Sequence, residues 1–272
     1  MKTFVVPFIV FVIFISQFGL AQQKTGTSLL DSLLSEKKYK TAQTELYAQV
    51  ERYKTNKRYD SLFGYPYYVG KIMLENSNQQ LAIKEMNAFV SDFKEHTSNP
   101  IYLQDLYAEI ASFYQSIGLH KEETKSHKNA LQYALKIPGK PGKKIGKGYY
   151  NLGTGQLREG NVSQAIDNYK KALKSYKSDP ETNFLDYYFS YSGMGTSMYY
   201  ASKIDSAIYY YQKAVDNVAQ LEDSPINSYY RPALLLNNIA GLYIFQGQTT
   251  QGLEAMKKCI GYNKKFLESD AE

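Results

Sequence analysis

The chain of 272 residues has no tryptophan, one cysteine (Cys259) and three histidines, His96, His120 and His127. One cysteine excludes an intramolecular disulfide, so an exported form of the chain rests on packing alone. His120 and His127 stand seven apart, whereas two zinc ligands on one helix face stand at i and i+4. Gly-x-Ser-x-Gly and Gly-x-Gly-x-x-Gly are both missing. The lysine-rich stretch IPGKPGKKIGKG (137–148) lacks the Gly-x4-Gly-Lys-[Ser/Thr] that cradles phosphates, and no strand precedes it. Its cluster, with Lys136, Lys140, Lys143, Lys144 and Lys147, reads as a solvated link, or as an attraction for an acidic partner or a phosphate-rich surface. His96 reads as a loop residue, and the carboxylates scatter along helix surfaces. No catalytic residue, metal site or cofactor is expected.

One long hydrophobic run is present, at the start. Lys2 provides a positive n-region, Phe4 to Ile15 an apolar core, and Gly19-Leu20-Ala21 a small-residue end. Residues 1–21 have the form of a secretory signal peptide, which sends the rest to the periplasm or outside the cell. The alternative is an uncleaved inner-membrane anchor over residues 4–20. The run is short for a bilayer of ~30 Å and Pro7 interrupts it, so no stable membrane span is expected after cleavage. The absence of cysteine after the site excludes a lipid-modified lipoprotein.

What remains is rich in tyrosine, 27 residues in all, and it repeats. In Tyr149–Ala172, Leu152 and Gly153 follow Tyr149 by about one helical turn, and Gly160 breaks the pattern. Ala165, Tyr169 and Ala172 then form a stripe at spacings of four and three. Asn161 with Gln164 has the form of a capping box. Gly153 and Ala165 let two backbones approach closely, the logic of a helical hairpin. Aromatic-x2-Leu-Gly, Gly, then Ala-x3-aromatic-x2-Ala resembles the tetratricopeptide repeat, with Gln156 standing where that family prefers tyrosine.

The pattern recurs. Tyr191, Gly195, Ala207, Tyr211 and Ala214 lie 42 residues downstream, and Ser202 with Asp205 is again of capping-box form. A further 45 on come Leu236, Ile239, Ala240, Tyr243 and Gly247, then Gly252, Met256 and Cys259, which makes Cys259 a small buried apolar residue. Upstream, Tyr107, Ile110, Ala111, Tyr114 and Gly118 fit, but Glu123 and His127 take the small and aromatic sites, with Ala130 in phase. A large acid there predicts a second helix moved outward or rotated. Gly70, Ala82, Met86 and Phe89 form a weaker unit, and Leu30, Leu33, Ala42 and Leu46 a weaker one still. Six hairpins follow, at approximately 23–62, 63–103, 104–145, 146–187, 188–232 and 233–272. Pro180 and Pro225 mark links between them. The implied fold is all-α, a right-handed superhelical α-solenoid of about six tetratricopeptide-like helix-turn-helix repeats.

In the resembled family, one face of each first helix lines a groove that grips a peptide. By position the resemblance points to Lys147, Tyr150, Thr154, Leu157 and Arg158. It then points to Phe189, Ser192, Thr196, Tyr199 and Tyr200, and to Leu234, Asn237, Gly241, Ile244 and Phe245. The partial unit contributes Asp105, Ala108, Ser112, Gln115 and Ser116. A lysine/arginine carboxylate clamp is not visible there; tyrosines and small polar residues dominate, and Tyr150 and Tyr199 read equally as groove or core. The expected activity is a non-catalytic, exported scaffold binding a protein or peptide, not nucleic acid. The alternative is the extracytoplasmic sensory or docking portion of a larger signalling protein with a kinase, DNA-binding or caspase-like output.

Overall fold

The structure, a computed structural model, describes residues 27–269. The signal segment expected at 1–21, and the alternative anchor at 4–20, lie outside the described residues. Among the described residues there are twelve α-helices and no strand. They are α1 Ser28–Ser35, α2 Tyr39–Thr55, α3 Pro66–Asn76, α4 Gln79–His96, α5 Pro100–Ser116 and α6 His120–Ala134. Then follow α7 Gly142–Arg158, α8 Val162–Lys177, α9 Phe184–Tyr200, α10 Ile204–Val218, α11 Arg231–Phe245 and α12 Thr249–Ser269. No described helix is long and apolar enough to cross a membrane. Consecutive helices pack as hairpins, α-solenoid repeats in two compact units, residues 27–141 and 142–269.

Five of the six hairpins, all but α3–α4, share one turn; in the first, Lys37 is the left-handed residue and the Lys38 N–H reaches the Leu33 carbonyl at 2.8 Å. Gly118, Gly160, Ser202 and Gly247, spaced 42, 42 and 45 apart, all have φ between 58° and 81°. In each case the following backbone N–H reaches back to the carbonyl five residues earlier: Leu119 to Tyr114, Asn161 to Gln156, Lys203 to Met198 and Gln248 to Tyr243, all at 2.8–2.9 Å. This is the Schellman closure, whose left-handed residue costs glycine least. Ser202 adopts the same conformation with a side chain attached.

That turn overrides the capping boxes expected from sequence. Asn161 is the N-cap of α8 but its side chain caps nothing; its Nδ2 donates to Glu159 instead. The N-cap of α10 is Lys203, not Ser202. Asp205 instead accepts a hydrogen bond of 2.7 Å from Gln246 at the end of α11. A true capping box starts α9, where Asn183 and Asp186 bond each other's backbone N–H.

Burial follows the period. The stripes Glu123, His127, Ala130, Ala134 on α6, Ala165, Tyr169, Ala172, Tyr176 on α8, and Ala207, Tyr211, Ala214, Val218 on α10 are buried, each 42 residues from the last. Glu123 therefore does not rotate α6: it is 0 % exposed on the same face as its alanine counterparts. Its two oxygens lie beside imidazoles of the same helix, His120 Nδ1 at 3.2 Å and His127 Nε2 at 3.7 Å. Most assigned residues of the weaker units are buried too, Leu30, Ala42, Leu46, Ala82 and Met86 all at 0 % exposed, while Phe89 is half-buried.

The glycines do more than bring backbones together. A Cβ on Gly153 would meet the Ala165 carbonyl at 3.2 Å, and one on Gly252 the Ala240 carbonyl at the same distance. At Gly195 and Gly70, however, the space is taken by rings, Tyr211 at 2.7 Å and Phe113 at 2.5 Å. Gly146 faces the ring of Tyr176 in the same way, so in three hairpins a missing Cβ admits an aromatic side chain. Ile226–Tyr230, within the link begun by Pro225, forms a π-helical turn that runs directly into α11.

Candidate functional site

Three first helices, α7, α9 and α11, carry the strongest candidate face, in the unit 142–269. Thr154 and Thr196 occupy equivalent places, and each shares a hydrogen bond with a buried tyrosine hydroxyl. Thr154 Oγ1 pairs with Tyr169 at 3.1 Å and Thr196 Oγ1 with Tyr211 at 2.9 Å. Burial pushes both phenols up, Tyr211 to about 12. Forty-five residues further the aromatic is Met256 and the hydroxyl partner is Gly241: where nothing needs a bond, nothing offers one. A buried hydroxyl left unpaired costs ~1–3 kcal/mol, which explains the co-occurrence. These threonines satisfy the core from beneath the face.

Tyr150 lies between Tyr169 and Phe189, ring centroids 5.9 and 6.0 Å away, and burial raises its pKa. It packs between successive hairpins while remaining half-buried. Gln156, at the family's tyrosine position, accepts from the buried Asn168 amide at 2.6 Å and donates to Gln164 at 3.0 Å. Lys147, Leu157, Arg158, Ser192, Tyr199 and Asn237 are half-buried. Exposure concentrates in one row, at the C-terminal ends of the first helices: Tyr200 is 50 % exposed, Ile244 43 % and Phe245 71 %. Tyr199 packs beside Tyr200, centroids 5.6 Å apart. Of the positions in the unit 27–141, Asp105, Ala108, Ser112 and Gln115 are half-buried and Ser116 is exposed.

The N-terminal ends of α7 and α9 are polar and charged. Asp179, in the link after α8, accepts from the Lys143 backbone N–H at 2.7 Å. Bonds from the N–H groups of Lys143, Glu181 and Gly142 hold its carboxyl below the usual range. Burial raises the Asp186 carboxyl, against the pull of its capping bond, Lys143 and Lys147. Arg231, which carried no sequence signal beyond its place before Pro232, lies over the rings of Tyr188 and Phe189 at 5.6 and 6.0 Å. Its guanidinium also bonds the Asn227 side chain.

Groups capable of chemistry stay apart or serve packing. Among the described residues no three His, Cys, Asp or Glu side chains gather closely enough for a metal ion. Cys259 is 4 % exposed; burial raises its thiol pKa, the opposite of nucleophile activation. His96 is the last residue of α4 rather than a loop residue, stacked on Tyr59 with centroids 3.9 Å apart.

No family model matches the chain, and no curated protein matches it in sequence. Solved structures do match. BtubC (BKLC) from P. vanneervenii is 14 % identical with a TM-score of 0.69, over 85 % of this chain and 91 % of that one. The TPR-like repeats of a putative kinesin light chain from Podosopora anserina are 13 % identical with a TM-score of 0.56, over 76 % and 97 %. A double mutant of MamA RS-1 is 12 % identical with a TM-score of 0.51, over 76 % and 96 %. At such identities the likeness is one of fold: this chain is an array of TPR-like helical hairpins, as its 42-residue period and buried stripes require.

Proposed function

We propose that the chain is a non-catalytic, exported interaction scaffold, and that the unit 142–269 binds an extended or helical peptide across α7, α9 and α11. The observation that carries this reading is the row of exposed side chains at equivalent positions of successive first helices. Tyr200 and Phe245, 45 residues apart, both stand out from helices whose other faces are buried. Tyrosine and phenylalanine give large contact area with few rotatable bonds, the composition of binding hot spots. Arg158, 42 residues before Tyr200, adds a basic group at the same position of α7. Export rests on the form of residues 1–21.

The test is selection of peptides from a random display library against the chain, followed by binding to a Tyr200→Ala, Phe245→Ala variant. Both sites are exposed, so the variant retains its helical circular dichroism. Truncating one hot-spot aromatic costs about 2 kcal/mol or more, so selected peptides lose at least roughly 30-fold in affinity. Peptides that bind the variant as tightly as the wild type would remove this face from the function. Export is tested separately, by sequencing the N-terminus of the protein recovered outside the cytoplasm: cleavage near Gln22 is expected, and an intact Met1 in the cytoplasm refutes it.

A further inference from the structure

Charge is spread unevenly along the face formed by α7, α9 and α11. Among the equivalent positions that line it, only Lys147 and Arg158 are charged, and both belong to α7. In the row at the C-terminal ends, Arg158 is followed by Tyr200 and Phe245. In the row nearer the N-terminal ends, Lys147 is followed by Phe189 and Leu234. Each row therefore runs from a cation on α7 to an aromatic ring on α9 and an apolar side chain on α11. One row further out, at the helix starts, Lys144, Asp186 and Arg231 mix both signs. The two cations on α7 have different surroundings. Lys147, with Lys143, lies near the Asp186 carboxyl, which burial raises and these lysines pull back down. Arg158 acts instead on the phenols of Tyr150 and Tyr169, which burial raises and its charge lowers. Its guanidinium is half-buried, in surroundings less polar than water, where an arriving carboxylate gains more from pairing than it would in open solvent.

We infer that the peptide held on this face is acidic at its α7 end: a side-chain carboxylate pairs with Arg158, and aromatic or aliphatic residues of the same segment cover Tyr200 and Phe245. This polarity rests on the peptide-binding reading of the face and specifies which kind of peptide it takes. Arginine suits the task because its planar fork can bond both oxygens of a carboxylate at once. A single arginine is not a clamp for a chain terminus; it seats one acidic side chain. Helices α7 and α9 pack against each other, and packed helices stand about 8–10 Å apart, the reach of about three extended residues. The acid therefore lies about three positions from the residue that meets Tyr200. A basic segment is repelled by Lys147 and Arg158, and no carboxylate at the other lining positions of α9 and α11 compensates.

The test uses two random peptide display libraries, one containing Asp and Glu without Lys or Arg, the other the reverse. Both are joined to their carrier at the C-terminus, so only side-chain carboxylates are offered. The full chain enriches binders from the acidic library and few or none from the basic one. The enriched sequences place Asp or Glu about three positions from an aromatic or aliphatic residue. Arg158→Glu weakens these binders by roughly 10–100-fold, with helical circular dichroism unchanged, and draws binders from the basic library instead. Arg158→Met, which keeps an apolar stem for packing, also weakens them, and changing the acid of the peptide to its amide then costs nothing further. Equal enrichment from both libraries, or acidic binders indifferent to Arg158→Glu and Arg158→Met, would overturn the acidic polarity. If those same binders are still lost with Tyr200→Ala, Phe245→Ala, the face stays a peptide site of another specificity. Binders that tolerate Tyr200→Ala, Phe245→Ala undiminished, or a chain that enriches neither library, would overturn the peptide-binding reading itself.

Discussion

Replacing Gly193 by alanine examines how successive hairpins are held together. Gly193 lies on α9, and its missing side chain faces the ring of Tyr169 on α8, in the preceding hairpin. A Cβ there would stand 2.5 Å from Cζ and 2.7 Å from Cε1. Ordinary carbon contacts begin near 3.5 Å, so the ring must retreat by about 1 Å. It has little freedom to do so: Tyr169 is 1 % exposed, packs on Tyr150 and shares its hydroxyl with Thr154. Overpacking of this kind costs ~1–3 kcal/mol, and disturbing the hydroxyl pair adds ~1 kcal/mol. Exchanging glycine for alanine within a helix returns ~1 kcal/mol. The balance is a loss of about 1–3 kcal/mol. Gly261 on α12 is the control, since its Cβ would meet nothing within 4 Å; there the helix gain stands alone, and Gly261→Ala stabilises by up to ~1 kcal/mol. Urea unfolding followed by circular dichroism measures both. A Gly193→Ala protein as stable as the wild type would refute the packing argument, because the helix gain of ~1 kcal/mol is too small to offset the clash and the disturbed hydroxyl pair.

Ser202→Gly relieves a left-handed residue at a turn that the hairpins on either side build with glycine, and stabilises by about 0.5–1 kcal/mol in the same assay. The triple variant Ser112→Thr, Glu123→Ala, His127→Tyr installs in α5 and α6 the threonine–alanine–tyrosine set of the next two hairpins. Replacing buried polar and ionisable groups with packed residues of similar volume is neutral or favourable, so the expected change is a gain of about 1 kcal/mol in thermal or urea unfolding; a marked loss would mean that Glu123 is needed where it is. Alkali gives a pH signature. The raised phenol of Tyr211 contributes stability that is complete below its unfolded value near 10 and is lost as pH rises through about 12. Spectrophotometric titration followed alongside circular dichroism should show the buried tyrosines ionising only as helicity collapses. Ionisation of every tyrosine near pH 10 with the fold intact would contradict their burial.

Much of the core was legible in the primary structure. Ala165, Tyr169 and Ala172 lie on one face because the helix pitch places them there, and their counterparts 42 residues away behave alike. Cys259 was explained by its phase alone. Other features were hidden because they depend on competition between local options. Asn161 and Ser202 have the residue types of N-caps, yet the Schellman closure, anchored on both sides by backbone bonds, claims those positions first. Glu123 looked too large for its site, yet it is buried there beside His120 and His127, one turn before and after it. Of the candidate face, the equivalence of Arg158, Tyr200 and Phe245 followed from the period, whereas the inward role of Thr154 and Thr196 needed the tyrosine hydroxyls beside them.

The order of residues alone determined that this chain is helical, that its helices come in pairs with a period near 42, and which stripe of each helix turns inward. Those properties depend on the 3.6-residue pitch and on side-chain size, both local. Tertiary structure decided what each inward or outward group meets: a ring in the space of Gly193, a hydroxyl beneath Thr196, a guanidinium across Tyr188 and Phe189, and open solvent above Leu253, Ile260 and Leu267. A side chain's neighbours across a hairpin are set by packing between segments distant in sequence, which no spacing within one helix encodes.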